Sequence, residues 1–143
     1  MLRTRLKSEI TAWLHSRRRI VNWVVGLTAL LVCEAARSYY RPYIYANAID
    51  DFHIADTLGN SFGTVAAVFV IISLLGRQKS HDLFLLHTVV ISALVFEIAS
   101  PLLGKPIDPW DLVATILAGV FCKALYRQLH KHSRNANITN KAV

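Results

Sequence analysis

Four stretches of the chain are predominantly apolar, and more polar segments separate them. They cover residues 20–36, 57–75, 83–103 and 109–126. About 20 consecutive apolar residues suffice for a helix to cross the hydrocarbon core of a bilayer, and flanking residues can extend the shortest stretch to that length. The pattern therefore predicts an all-α protein with four membrane-spanning helices.

The segment before the first stretch, residues 2–18, alternates apolar and basic positions at helical spacing. This pattern is typical of an amphipathic helix that lies in the membrane interface. A secretory signal peptide is the alternative, since Ala35 and Ala36 follow the basic start and the apolar run. Because Glu34 and Arg37 flank those alanines, the cleavage site would be poor, and we interpret the segment as an uncleaved anchor.

Composition and charge place the chain in a membrane and orient it. The chain is 54% hydrophobic with a mean hydropathy of +0.39, which is too apolar for an ordinary soluble domain. Its net charge of +7 comes from bases near both termini and in the segment 77–82. Beside membrane spans, such bases indicate the cytoplasmic side and attraction to anionic lipid, rather than a nucleic-acid partner. We therefore expect both termini in the cytoplasm.

Short connections between the four helices predict an antiparallel four-helix bundle. Residues 1–134 would form this single transmembrane domain, and residues 135–143 would be a disordered cytoplasmic tail. Gly59 and Gly63 are spaced for close approach of another helix, and Gly76 is placed to end the second span in a left-handed cap.

On this topology, charged and polar residues converge at the outer ends of the helices. We predict a binding site there, made by Glu34, Arg37, Arg41, His53, Asp56, Asn60, Glu97, Asp108 and Asp111. Glu97 is the most informative of them, because a carboxylate inside an apolar span needs a partner, a cavity or water. Arg37, Arg41 and His53 are the bases available to pair with it.

Several of these residues have structural explanations as well. Asp108 followed by Pro109 is a strong helix start, with an Asp N-cap and Pro in the first turn. Asn60 is also explained by a hydrogen bond between helices. Cys33 and Cys122 fall in different spans, so we expect no disulfide. No motif of an enzyme, a metal site or a cofactor site is present, and the histidines lack partners at ligand spacing.

The run FEIASPLLGKPIDPWDLVATILAGVF resembles the C-terminal half of VanZ-like membrane proteins. Glu97, Asp111, Ala118 and Gly119 match that family's layout of a Glu late in one helix and an Asp opening the last. Three positions depart from it: Ser100, Lys105 and Thr115 stand where the family usually carries Gln, Arg and Asn. The resemblance implies a small multi-spanning protein of the bacterial inner membrane, concerned with the cell envelope or with resistance to glycopeptide antibiotics.

Three functions remain open. The predicted site could bind a polar headgroup, a membrane protein or a second copy of the chain. It could instead belong to an intramembrane enzyme that acts on a lipid-linked substrate, with Glu97 or Asp111 as general base. An oligomeric pore or holin-like protein is the third alternative, but the polar residues gather at one end of the spans rather than along their length. We rank the binding protein first.

Overall fold

The computed structural model describes residues 2–131, with side chains from Arg17 onward. The helices are α1 (Leu2–Ala35), α2 (Arg41–Ala46), α3 (Ile54–Leu75), α4 (Lys79–Ala99) and α5 (Pro109–Leu129). A π-helical turn at Ala36–Tyr40 joins α1 to α2, and a 3-10 turn at Ser100–Leu103 extends α4. The described residues contain no strand, which confirms the prediction of an all-α protein. The predicted tail, residues 135–143, lies outside the described part of the chain.

Four helical segments are long and apolar enough to cross a membrane, as the sequence predicts. They are Arg17–Ala46, Ile54–Leu75, Lys79–Leu103 and Pro109–Leu129, with mean hydropathies of 1.5, 2.0, 2.1 and 1.4. The last three extend the predicted spans by no more than four residues at either end. The first segment differs more, because helical structure continues well beyond residue 36.

Pro42 does not interrupt the helical structure that follows α1. The chain stays helical through a π-turn, in which the Arg41 N–H donates to the Ala36 carbonyl, and then through α2. Pro42 lies in the first turn of α2, where a missing N–H costs little. The wider π-turn relieves the clash between the proline ring and the preceding turn.

The N-terminal segment also differs from the prediction. Residues 2–18 belong to the same continuous helix as the first span. The predicted interfacial helix is therefore not a separate element, and the side chains of residues 2–16 lie outside the described part.

Helix α3 is the centre of the packing. Within the described residues, α1 packs along one side of α3, while α4 and α5 pack against each other and against α3. The core between them includes Val68, Phe69 and Ile72, each at most 1% exposed. Two glycines permit close approach of helices: an added Cβ would lie 2.9 Å from Val70 Cγ2 at Gly26 and 2.8 Å from Val90 Cγ1 at Gly119.

The glycines singled out from the sequence have other roles. Gly76 is extended, with φ −61° and ψ 139°, so the predicted left-handed cap is wrong. A Cβ at Gly76 would clash with the Ile72 carbonyl oxygen and would lie 2.5 Å from Asp82 Oδ1, so this position requires glycine for space. An added Cβ at Gly59 or Gly63 would have no described neighbour within 4 Å, so these glycines do not bring two described helices together.

Candidate functional site

The loop that leads into α3 has an unusual backbone. Ala48, Phe52 and His53 all have positive φ, at 49°, 56° and 65°. Non-glycine residues rarely adopt this conformation unless their surroundings hold them there. Asp51 provides such support, since it accepts hydrogen bonds from the Ala55 N–H at 2.7 Å and from the Tyr40 hydroxyl at 3.3 Å. The turn places His53 at the start of α3, beside the start of α5.

Arg41, Tyr45 and Asp56 form a compact polar group between α2 and α3. The Arg41 guanidinium pairs with the Asp56 carboxylate at 3.0 Å and donates to the Tyr45 hydroxyl at 3.2 Å. The Tyr45 hydroxyl donates to the same Asp56 oxygen. His53 Nδ1 lies 3.7 Å from the other Asp56 oxygen. The side chains of Arg41 and Asp56 are 46% and 29% exposed, so this pair lies at the surface.

The start of α5 adjoins this group. Asp108 caps the helix, with its Oδ1 accepting from the Trp110 N–H at 2.9 Å, which confirms the capping role expected from the sequence. The Trp110 ring stacks on His53, with ring centroids 5.8 Å apart and an angle of 17° between the planes. The α3 and α5 N-terminal ends are therefore in contact.

Asp111 lies one turn further along α5, and acids from two other helices surround it. Asn60 of α3 interacts with its carboxylate, and Glu97, Asp108 and Asp56 are electrostatic neighbours. Asp111 Oδ1 is buried and has no hydrogen-bond partner among the described residues. We name this group the Asp111 cluster; its members are Arg41, Tyr45, His53, Asp56, Asn60, Glu97, Asp108 and Asp111.

The expected pairing of Glu97 with an arginine is not what the structure shows. Arg41 pairs with Asp56 instead, and the base whose charge acts on Glu97 is Lys105 in the turn before α5. No base of the described residues lies within 4.0 Å of the Glu97 carboxylate. Glu97 is half-buried, and the charge of Asp111 on α5 acts on it electrostatically.

Two of the nine predicted site residues lie outside the cluster. Glu34 is exposed on the last turn of α1, Arg37 is exposed on the π-turn that follows, and both neighbour the Cys33 thiol. That thiol donates to the Gly59 carbonyl of α3 at 3.5 Å. The other seven predicted residues do come together, although Tyr45 was not expected among them.

Sequence reasoning missed a second polar group at the opposite end of the helices. Asp82 is only 5% exposed, and its Oδ2 accepts from the Tyr126 hydroxyl at 2.6 Å. The ring of Tyr126 packs on His130 with centroids 4.6 Å apart, and His130 Nε2 lies 3.0 Å from the side-chain oxygen of Asn22. We name Asn22, Asp82, Tyr126 and His130 the Asp82 clasp.

Two further hydrogen bonds reinforce the clasp. The Ser73 hydroxyl of α3 donates to the Arg19 carbonyl of α1 at 2.8 Å, and the Lys79 ammonium of α4 donates to the His130 carbonyl at 2.8 Å. All four spans thus meet at this end. The i, i+4 spacing of Tyr126 and His130 was the available sequence signal, but it did not reveal Asp82 and Asn22 as partners.

His130 follows the last residue of α5, and its environment keeps it neutral. Burial lowers the pKa of His130, and the nearby positive charges of Arg18 and Lys79 lower it further, while Asp82 opposes them. Since the Asn22 oxygen can only accept, His130 Nε2 carries the proton and donates. The clasp therefore uses a histidine as an uncharged hydrogen-bond donor.

The described residues contain no group of three His, Cys, Asp or Glu side chains that could hold a metal ion. Comparison of the chain with protein-family models, with curated proteins and with solved structures finds no match. The geometry of the two polar groups therefore carries the functional argument.

Proposed function

We propose that the chain is a multi-spanning protein of the bacterial inner membrane, with an antiparallel bundle and both termini in the cytoplasm. The four apolar helices support a membrane location. The bases of the segment 77–82 lie at the end with the Asp82 clasp, which supports a cytoplasmic assignment of that end. Bacterial origin and a role in the cell envelope rest on the VanZ-like resemblance alone.

We further propose that the Asp111 cluster, on the outer side, binds a polar headgroup that carries N–H or O–H donors. The observation that carries this is the buried Asp111 Oδ1 without a hydrogen-bond partner among the described residues. A buried carboxylate oxygen is costly unless a donor reaches it. An ammonium or hydroxyl group of a ligand would provide that donor.

The balance of charges supports the same class of ligand. The cluster has four carboxylates, those of Asp56, Glu97, Asp108 and Asp111, and Arg41 is its one permanent cation. Arg41 and Tyr45 already occupy Asp56, and Asp108 caps α5. Glu97 and Asp111 Oδ1 remain as acceptors for a ligand. A headgroup that is itself anionic would be repelled.

The test compares two zwitterionic lipids that differ in donors. Phosphatidylethanolamine has an ammonium with three N–H groups, and phosphatidylcholine has none. We expect phosphatidylethanolamine to raise the unfolding temperature of the purified chain above its value in phosphatidylcholine, because a ligand that binds the folded state stabilises it. Asp111→Asn and Glu97→Gln should each remove that difference.

Glu34→Gln is the matched control, since it removes an exposed acid at the same end but outside the cluster. It should leave the lipid difference unchanged. If Glu34→Gln has the same effect as Asp111→Asn, general charge explains the result and the proposed site is wrong. If neither lipid stabilises the wild type but a second protein or a second copy does, the site is a protein interface.

One observation favours an intramembrane enzyme as a second candidate. Glu97 and Asp111 are neighbours on adjacent helices, so one of them could act as a general base for a ligand bound to the other. An enzyme would convert a bound lipid-linked substrate, and Glu97→Gln would abolish conversion while binding persists. Val68, Phe69 and Ile72 fill the interior between the described helices of one chain, so a pore through a single copy is not proposed.

A further inference from the structure

A lysine and a histidine form a polar pair on the membrane-facing surface of α4 and α5. Lys123 Nζ lies 3.3 Å from His87 Nε2. His87 lies four residues from Leu83 and Lys123 lies three residues from Tyr126, so they are about 6 Å and about 4.5 Å inside the ends of their apolar stretches at 1.5 Å per residue. His87 is exposed and Lys123 is half-buried. Ionisable residues at such depths mark functional sites by default.

The positive charge of Lys123 is not neutralised by the described residues. No carboxylate among them lies within 4.0 Å of its ammonium. A lysine ammonium only donates, so the contact with His87 requires a neutral imidazole whose Nε2 accepts. The pair therefore offers two further N–H groups of Lys123 and the Nδ1–H of His87 to an external acceptor.

The surfaces around the pair are amphiphilic. Toward the middle of the spans, Ile91, Ile116 and Val120 are 58%, 49% and 63% exposed, and helical spacing places them on the same faces as His87 and Lys123. Toward the basic end, Arg127 lies one turn beyond Lys123 on α5, Lys131 follows the end of that helix, and both are exposed. Apolar surface thus lies on one side of the pair and positive charge on the other.

We propose that one anionic phospholipid binds the strip formed by the His87–Lys123 pair, Arg127 and the exposed side chains of Ile91, Ile116 and Val120. Its phosphate would accept from Lys123, His87 and Arg127, and its acyl chains would lie along Ile91, Ile116 and Val120. Long basic side chains that reach from an apolar stretch toward the headgroups suit a phosphate at this depth. The proposal requires only that α4 and α5 cross a membrane, and it is independent of the ligand of the Asp111 cluster.

A second copy of the chain is a poorer occupant. It would have to present an acid at the depth of Lys123. Glu97 is ten residues beyond His87 on α4, about 15 Å further along the helix. Asp82 lies at the correct end but is only 5% exposed. The described spans therefore offer no exposed carboxylate that could reach this pair.

The experiment measures lipids that remain bound to the full chain by native mass spectrometry. The chain is released from bilayers that contain equal amounts of phosphatidylglycerol and phosphatidylcholine. We expect one phosphatidylglycerol molecule to remain bound to the chain more often than one phosphatidylcholine molecule. Lys123→Gln should reduce this preference about fivefold, which corresponds to about 1 kcal/mol per base near an anionic lipid. Inorganic phosphate in excess should not displace the lipid, since it lacks acyl chains.

Lys131→Gln is the matched control, because it removes one charge at the same end but beyond the apolar strip. It should change the preference less than Lys123→Gln does. Equal losses from the two variants would show diffuse attraction and overturn the site. No loss from Lys123→Gln would also overturn it, and a change in subunit number would indicate a second copy instead. Lys123→Gln takes a charge out of an apolar stretch, so its unfolding temperature in phosphatidylcholine should not fall.

Discussion

The Asp82 clasp and the Asp111 cluster use similar residues in opposite ways. In the clasp, the side chains of Asn22, Asp82, Tyr126 and His130 are 2–7% exposed, and they form the Tyr126–Asp82 and His130–Asn22 pairs. Asp82 Oδ1, like Asp111 Oδ1, has no hydrogen-bond partner among the described residues. In the cluster, the Arg41–Asp56 pair is partly exposed, and acids outnumber bases. A cavity of about 10 Å³ beside Asp82 holds no more than a single water molecule, whereas the cluster lies where a headgroup could reach it.

The difference indicates a division between stability and binding. Polar groups that are buried and satisfied join helices, because breaking them leaves unpaired groups in a low-dielectric interior. Exposed ion pairs contribute little to stability, typically about 0–1 kcal/mol. We therefore expect substitutions in the clasp to lower the free energy of unfolding, and substitutions in the cluster to affect binding with little change in stability.

The largest effect is expected from Tyr126→Ala. Tyr126 is 2% exposed, and its loss creates a cavity and leaves Asp82 without its donor. We expect the free energy of unfolding to fall by about 3–5 kcal/mol. Trp110→Ala, at a residue that is 54% exposed beside the cluster, should cost less than about 1 kcal/mol. Titration of both variants with denaturing detergent measures the two losses, and similar values would abolish the distinction between the two ends.

Gly76→Ala should have an intermediate effect. The added methyl group would clash with the Ile72 carbonyl and push Asp82 away from the clasp, at a cost of about 1–3 kcal/mol. Gly63→Ala places a methyl group in open space within α3, and it should instead stabilise by about 0.5–1 kcal/mol. Thermal unfolding of the two variants should shift in opposite directions. A stabilised Gly76→Ala variant would mean that the clasp tolerates displacement of Asp82.

Acidification should give the smallest effect, and it should act through the clasp. Burial holds the pKa of His130 below its ordinary value of 6.5, so the unfolded chain binds the proton more tightly than the folded chain. The stability contributed by neutral His130 is therefore complete above about pH 6.5 and is lost as the pH falls through the folded-state pKa. The unfolding temperature of the wild type should fall between about pH 7.5 and pH 5.5 more than that of His130→Gln, whose amide cannot be protonated in this range. If the unfolding temperatures of the two proteins fall in parallel with pH, protonation of His130 is not the cause of the loss of stability.

Much of the site could be predicted because its residues lie at the ends of recognisable spans. If the apolar helices cross a membrane in alternating directions, their lengths alone place Asp56, Asn60, Glu97 and Asp111 near the same end of the bundle. The partners could not be predicted in the same way. The left-handed turn at His53 and the helical path through Pro42 decide that Arg41 meets Asp56 rather than Glu97.

The sequence by itself determined the number of long apolar helices and the clustering of acids at one end, because hydropathy and span length are local properties of the chain. Only the tertiary structure decided that α3 is central, that Gly76 is needed for space, and that Asp82 and His130 are buried. Asn22 and His130 are 108 positions apart in the sequence, and nothing local to either residue marks it as the partner of the other. Such pairs depend on how the helices pack, which is a property of all the spans together.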